Sequence, residues 1–125
     1  KPLPTADIIR MTQRYRDRLV RYRADTIART ETHTALNMGR FEKIIQTAEA
    51  AGLTADDIVA TWRASQDSRT RDTHGRLRGQ SVRLGQPFNS GGYRMRYPGD
   101  RSLGAPASEI VNCRCVLTFK MDPRE

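Results

Sequence analysis

Gly52-Leu53-Thr54-Ala55-Asp56-Asp57-Ile58-Val59-Ala60-Thr61-Trp62-Arg63-Ala64 is where this chain changes period. Upstream, apolar residues return every three or four positions, as on one face of a helix. From Ile58 to Trp62 they form a short β-branched and aromatic run, which suits a pleated strand. Gly52 is placed as the cap that ends the helical part, because glycine enters the left-handed conformation at little cost. Thr54-Ala55-Asp56-Asp57 reads as a capped turn. Residues 58–64 read as the first strand.

Working back from that junction, residues 1–51 are expected to be helical. Pro4 and Thr5 precede Ile8, Ile9, Met11, Tyr15, Leu19 and Tyr22, which recur at helical spacing. A second periodic run carries Ile27, Ala28, Ala35, Met38, Phe41, Ile44, Ile45 and Ala48. Gly39 inside it costs about 1 kcal/mol relative to Ala and marks either close helix packing or a bend. The two runs are either one kinked helix or two helices.

Working forward, residues 72–77 read as a short helix with Asp72 as its cap. The segment from Gly79 onward is broken by Gly85, Pro87, Gly91, Gly92, Pro98, Gly99 and Gly104. Short strands are expected near 82–84 and 93–97, a helical turn at 107–111 and a final strand at 113–119. Helices first and strands after give an α+β class. The expected architecture is long N-terminal helices packed on a small, mostly antiparallel sheet with long irregular loops. Residues 1–125 are read as a single domain, with a helical part of about 1–53 and a sheet and loop part of about 54–125. The chain opens on Lys1 and is taken as a fragment of a longer one.

A chain of 125 residues with 37% apolar and 29% charged residues is globular in composition. No stretch approaches the roughly 18 apolar residues that a membrane helix needs, so no membrane contact is expected. The two cysteines, Cys113 and Cys115, stand two apart. A bridge between them would close a small strained ring, so both are read as reduced thiols in a cytoplasmic setting. The net charge is +8. Residues 1–60 hold ten Lys and Arg against eight Asp and Glu, whereas residues 61–125 hold twelve against six. An arginine excess of this kind suits phosphate or an acidic protein surface.

Two segments carry the candidate chemistry: Asp67-Ser68-Arg69-Thr70-Arg71-Asp72-Thr73-His74 and Asn112-Cys113-Arg114-Cys115. Thiolates and imidazole together suit zinc. Cysteines at i and i+2 of a strand share one face, so Cys113, Cys115 and His74 can meet one ion, with Asp67 or Asp72 as the fourth ligand. Read blandly, the cysteines are core residues and His74 is a hydrogen-bonded structural one. A nucleophilic Cys–His pair lacks a convincing orienting group, and a nuclease would use His74 as base with arginines on the phosphate. His33 reads as a surface or packing residue. Arg69, Arg71, Arg76, Arg78 and Arg83 form the candidate surface for nucleic acid or another partner, or else bridge to nearby carboxylates. No interleaved aromatics point to base stacking, so any DNA contact would be non-specific.

In order and spacing these residues also resemble the Mu F-like family of phage minor head, or head morphogenesis, proteins. The similarity runs from Ala28-Arg29-Thr30-Glu31-Thr32, Ala35, Asn37 and Gly39 through Trp62 and the 67–74 motif to Leu77-Arg78-Gly79. It continues with Pro87-Phe88, Arg96-Tyr97-Pro98-Gly99-Asp100, Ala107, Glu109 and Asn112-Cys113-Arg114-Cys115, covering about residues 24–119. The resemblance implies a structural, non-enzymatic role in assembling the phage head. Portal, scaffold or capsid protein and non-specific DNA would be its partners. It would lie in the virion head interior, and in the host cytoplasm during assembly. The family's Asp, His and Cys-x-Cys positions fall on Asp67, His74, Cys113 and Cys115, with zinc as the implied metal. Some members are joined to toxin-type domains, so the rival expectation is a toxin-like nuclease or nucleotide-modifying domain built on His74 and its arginines.

Overall fold

The computed structural model describes residues 1–64 and 71–122. Asp67 and Arg69 lie outside the described residues. The first element is one helix, α1 (Thr5–Ala50), of 46 residues. At 1.5 Å per residue it is about 70 Å long. It runs unbroken through Gly39, where an added Cβ would meet nothing within 4 Å. Neither close packing nor a break between helices explains that glycine.

The helix ends as its sequence dictates. Gly52 has φ +78°. The Leu53 N–H reaches back to the Ala48 carbonyl (2.8 Å), and the Gly52 N–H reaches that of Glu49 (3.0 Å). That paired return is the Schellman closure. A 3-10 turn, Ala55–Asp57, follows, with the Thr54 N–H donating to the Asp57 carboxylate at 2.9 Å.

Strand β1 (Ile58–Arg63) is the centre of a three-stranded antiparallel sheet, flanked by β2 (Ser81–Arg83) and β5 (Val116–Met121). Between β1 and β2 lies α2 (Asp72–Leu77), with Arg71 at the capping position and Asp72 as its first residue. Asp72 was expected to be the cap. A two-stranded hairpin, β3 (Phe88–Ser90) with β4 (Tyr93–Met95), and a short helix α3 (Ala107–Ile110) complete the fold. Strand β3 was not anticipated. The last strand begins at Val116, so both cysteines lie in the turn before it.

Alternation places Ile58, Ala60 and Trp62 on the buried face of β1. Their neighbours are Leu77, Leu84, Phe88, Met95, Ile110 and Leu117. The Trp62 and Phe88 rings meet edge-on at 5.2 Å, a favoured aromatic geometry.

The helix meets the sheet in an unexpected way. Because β5 is an edge strand, its outward carbonyls lack strand partners. Three α1 side chains at i, i+4 and i+7 supply donors, two to the Cys115 carbonyl just before the strand and one to Leu117 within it. His33 Nε2 donates to the Cys115 carbonyl at 2.7 Å, Asn37 Nδ2 to the same oxygen at 3.3 Å, and an Arg40 N–H to the Leu117 carbonyl at 2.8 Å. The buried residues of α1 are therefore Thr30, Asn37, Phe41 and Ala48. Ile27 and Met38, expected on the packed face, are exposed.

The 96–102 turn docks on the same helix. Asp100 is buried and accepts the backbone N–H and Nε of Arg96 and the backbone N–H and hydroxyl of Ser102. Gly99, at φ +91°, sits so close to α1 that a Cβ would fall 2.6 Å from Thr34 Oγ1.

Candidate metal centre

Pairing of β1 with β5 puts Trp62 opposite Leu117. This registers the end of β1, and α2 beyond it, against the turn that precedes β5. Asn112 makes that turn. It follows α3 in the left-handed conformation (φ +57°), which asparagine tolerates. Its N–H donates to Thr30 Oγ1 at 3.1 Å, tying the turn to α1. Cys113 and Cys115 then point inward, both buried and unbridged.

His74, on α2, meets them. Its Nδ1 lies 3.6 Å from Cys113 Sγ and 3.7 Å from Cys115 Sγ. The three ligand atoms all lie within 4.8 Å of one another. The opposite ring nitrogen, Nε2, is 3.0 Å from Glu109 Oε2. Glu109 is itself buried, and also accepts the Ser90 hydroxyl at 2.7 Å and the Thr73 hydroxyl at 3.3 Å. A carboxylate with three donors of this kind places the histidine proton on Nε2. The Nδ1 lone pair is then aimed at the sulfurs. The Trp62 ring packs edge-on against the imidazole at 5.5 Å.

The thiols are already polarised. Cys115 is held below its ordinary pKa because it accepts a hydrogen bond from Cys113. Burial opposes this, while the Trp62 indole N–H and the charges of Arg71 and Arg114 assist it. Cys113 is pushed up, first because it donates to Cys115 and then by burial. Among the described residues Trp62 Nε1 completes no hydrogen bond, so its effect on Cys115 is that of a contact weaker than one. His33 is raised above its ordinary value, first by the Cys113 side chain, against burial, and then by the Cys115 carbonyl.

The donor set fits a tetrahedral ion. With Zn–S near 2.3 Å and Zn–N near 2.05 Å, a tetrahedral angle separates sulfur and nitrogen by about 3.6 Å, which is the spacing found here. The carboxylate behind the histidine is the arrangement that orients metal-bound imidazoles. His74, Cys113 and Cys115 could therefore hold a metal. Asp72 is exposed and stands outside this group. Two residues supporting the site were not singled out in the sequence as site residues: Glu109 and His33. Glu109 is the sole charged residue between Ser102 and Cys113, which is a legible signal. His33 lay among polar helix residues and gave none.

Of the five arginines, four are described, and they meet different surroundings. Arg71 donates to the carbonyls of Ser108 and Val111, closing the end of α3. Arg83 lies towards the other end of the sheet, opposite Val59, and donates to the carbonyls of Asp56 and Asp122. Arg76 and Arg78 are exposed. Nothing here favours a hydrolytic use of His74, which is 1% exposed and has Glu109 on one ring nitrogen and two sulfurs facing the other.

A helix-backed antiparallel sheet closed by a His/Cys/Cys cluster is the class of domain the geometry defines. The chain belongs to the Phage Mu protein F like family, which it matches over residues 6–118. It is 31% identical over 102 residues to the minor head protein GP7 of Bacillus phage SPP1, covering 80% of this chain and 30% of that protein. The chain thus spans less than a third of the length of that relative. No solved structure matches it. Among the described residues no helix is long and apolar enough to cross a membrane.

Proposed function

We propose that this domain is a structural, non-catalytic part of a tailed-phage minor head protein. It acts in head morphogenesis, and a zinc ion holds its irregular half together. Family membership and the GP7 relative support the head role. The observation that carries the zinc is the pair of near-equal Nδ1–Sγ distances, with Nε2 anchored on Glu109. Asp67 is the proposed fourth ligand. Four protein ligands leave no open position, and catalytic zinc keeps one. Bound zinc would link α2 to the turn before β5, and its binding energy would be folding energy.

The proposed partners are portal, scaffold or capsid protein in the head interior, after assembly in the host cytoplasm. Duplex DNA is a weaker, sequence-independent contact through exposed arginines such as Arg76 and Arg78, its affinity falling steeply with salt. The direct test is mass spectrometry of purified phage particles. The full chain is expected in heads, at low copy. Its confinement to the soluble cell fraction, with heads complete without it, would overturn the reading.

A further inference from the structure

The first half of α1 presents a face that the body does not use. Ile8, Met11, Tyr15, Leu19 and Tyr22 follow one another in steps of three and four and are between 49% and 65% exposed. This is the spacing of a seam that packs against another helix. Wound at about 100° per residue, the stripe runs on into Thr30, His33, Asn37 and Phe41, the side chains that α1 sets against the sheet. The docking face of the helix therefore continues beyond the surface it covers.

Its charge selects the occupant. Between Ile8 and Ala24 there are six arginines and one aspartate. Arg14 and Arg18 border the stripe on one side, and Arg16 and Arg23 on the other. Arg10 pairs with Asp7. Arg14, Arg16, Arg18, Arg21 and Arg23 have no ion pair among the described residues. A second copy of this helix would set arginine against arginine along the seam, which is destabilising. DNA would match the arginines but leave five large apolar side chains in water. A helix with an apolar stripe edged by Asp and Glu satisfies both features.

We propose that residues 8–24 of α1 dock an acidic amphipathic helix of another protein. Nothing in this surface depends on the metal centre or on the role in the head.

The test uses the whole domain and synthetic helices of roughly three heptads, with Leu along the seam and either Glu or Lys beside it. A third peptide has the Glu composition with its pattern scrambled. Titration should show salt-sensitive binding of the Glu-edged peptide and little of the other two. Tyr15→Glu with Leu19→Glu, both at exposed positions, should weaken it about tenfold or more. Arg16→Glu, Arg18→Glu and Arg23→Glu together should transfer the preference to the Lys-edged peptide. Both variants should melt as the wild type does. Equal binding of the scrambled peptide overturns the proposal. So does reversible self-association of the domain that the Tyr15/Leu19 variant abolishes. Tighter binding to phosphatidylglycerol vesicles or duplex DNA than to the Glu-edged peptide, lost in that variant, also overturns it.

Discussion

His74 Nε2 lies 3.0 Å from Glu109 Oε2, and this one contact decides what the other ring nitrogen can do. With the proton committed to Glu109, Nδ1 offers its lone pair to Cys113 and Cys115. The same carboxylate holds Ser90 of the β3–β4 hairpin and Thr73 of α2. Glu109 therefore joins three separate segments behind the cluster.

Glu109→Ala should cost about 2–4 kcal/mol, because it strands three donors in a buried pocket. It should also weaken metal binding by roughly 10- to 100-fold, the usual effect of losing such a support. Glu109→Gln should be milder in stability, since its carbonyl still accepts. Thermal melting and a competition titration with a chromophoric chelator check both. An unchanged affinity in Glu109→Ala would mean that the carboxylate does not orient the imidazole.

Asn37→Leu should destabilise the domain by about 1–3 kcal/mol although it adds apolar surface. It removes a donor to the Cys115 carbonyl just before β5, leaving His33 alone on that oxygen. Urea unfolding measures the effect. A stabilised variant would show that α1 is held by apolar packing alone.

Gly39→Ala should stabilise by about 0.5–1 kcal/mol, since the site is open, helical and free of positive φ. A loss in the same unfolding experiment would contradict an unobstructed helix there.

Asp100 supplies the pH dependence. Burial opposes its ionisation, but the Ser102 hydroxyl, the backbone N–H groups of Arg96 and Ser102 and the Arg96 guanidinium outweigh it and hold the pKa below the ordinary value. A carboxylate depressed in the folded state binds its proton more readily when unfolded. It therefore adds stability above the ordinary aspartate pKa of about 3.9, and loses it as pH falls through the lower folded value. Asp100→Asn should be less stable than wild type at neutral pH, with the gap narrowing below about pH 3.9. A gap independent of pH would remove the charge from the explanation.

The period change at residues 52–58 made the end of the helix and the first strand legible, and the Gly52 closure followed from local chemistry. Helix α2 and the final strand were legible in the same way, to within a few residues. What escaped was how α1 meets the sheet. Hydrophobic periodicity assumes that a helix buries its apolar stripe, whereas this one buries Asn37 on the Cys115 carbonyl and Thr30 on the Asn112 N–H, and leaves Ile8, Tyr15 and Leu19 in water. Pattern reading has no access to unsatisfied carbonyls on a distant strand. The convergence of His74 with Cys113 and Cys115 was legible because sulfur and imidazole donors are the set that suits zinc, one of the readings that those residues allowed. The cysteines achieve it from a turn, not from a strand face, because Asn112 redirects the chain after α3. Arg71 and Arg83 read in the sequence as a partner surface or as bridges to carboxylates; Arg71 donates to backbone carbonyls, and Arg83 to two carbonyls and the Asp122 carboxylate, groups that only the fold brings near.

The central claim is that His74, Cys113 and Cys115 hold a structural zinc ion, with Asp67 as fourth ligand. Elemental analysis of the purified domain, paired with melting in the presence and absence of a strong chelator, tests it most directly. The expected result is one zinc per chain and a clear fall in melting temperature on chelation. Cys113→Ser with Cys115→Ser should lack the metal and be insensitive to the chelator. A metal-free protein whose melting no chelator and no added zinc alters would contradict it, leaving two packed thiols beside a hydrogen-bonded histidine.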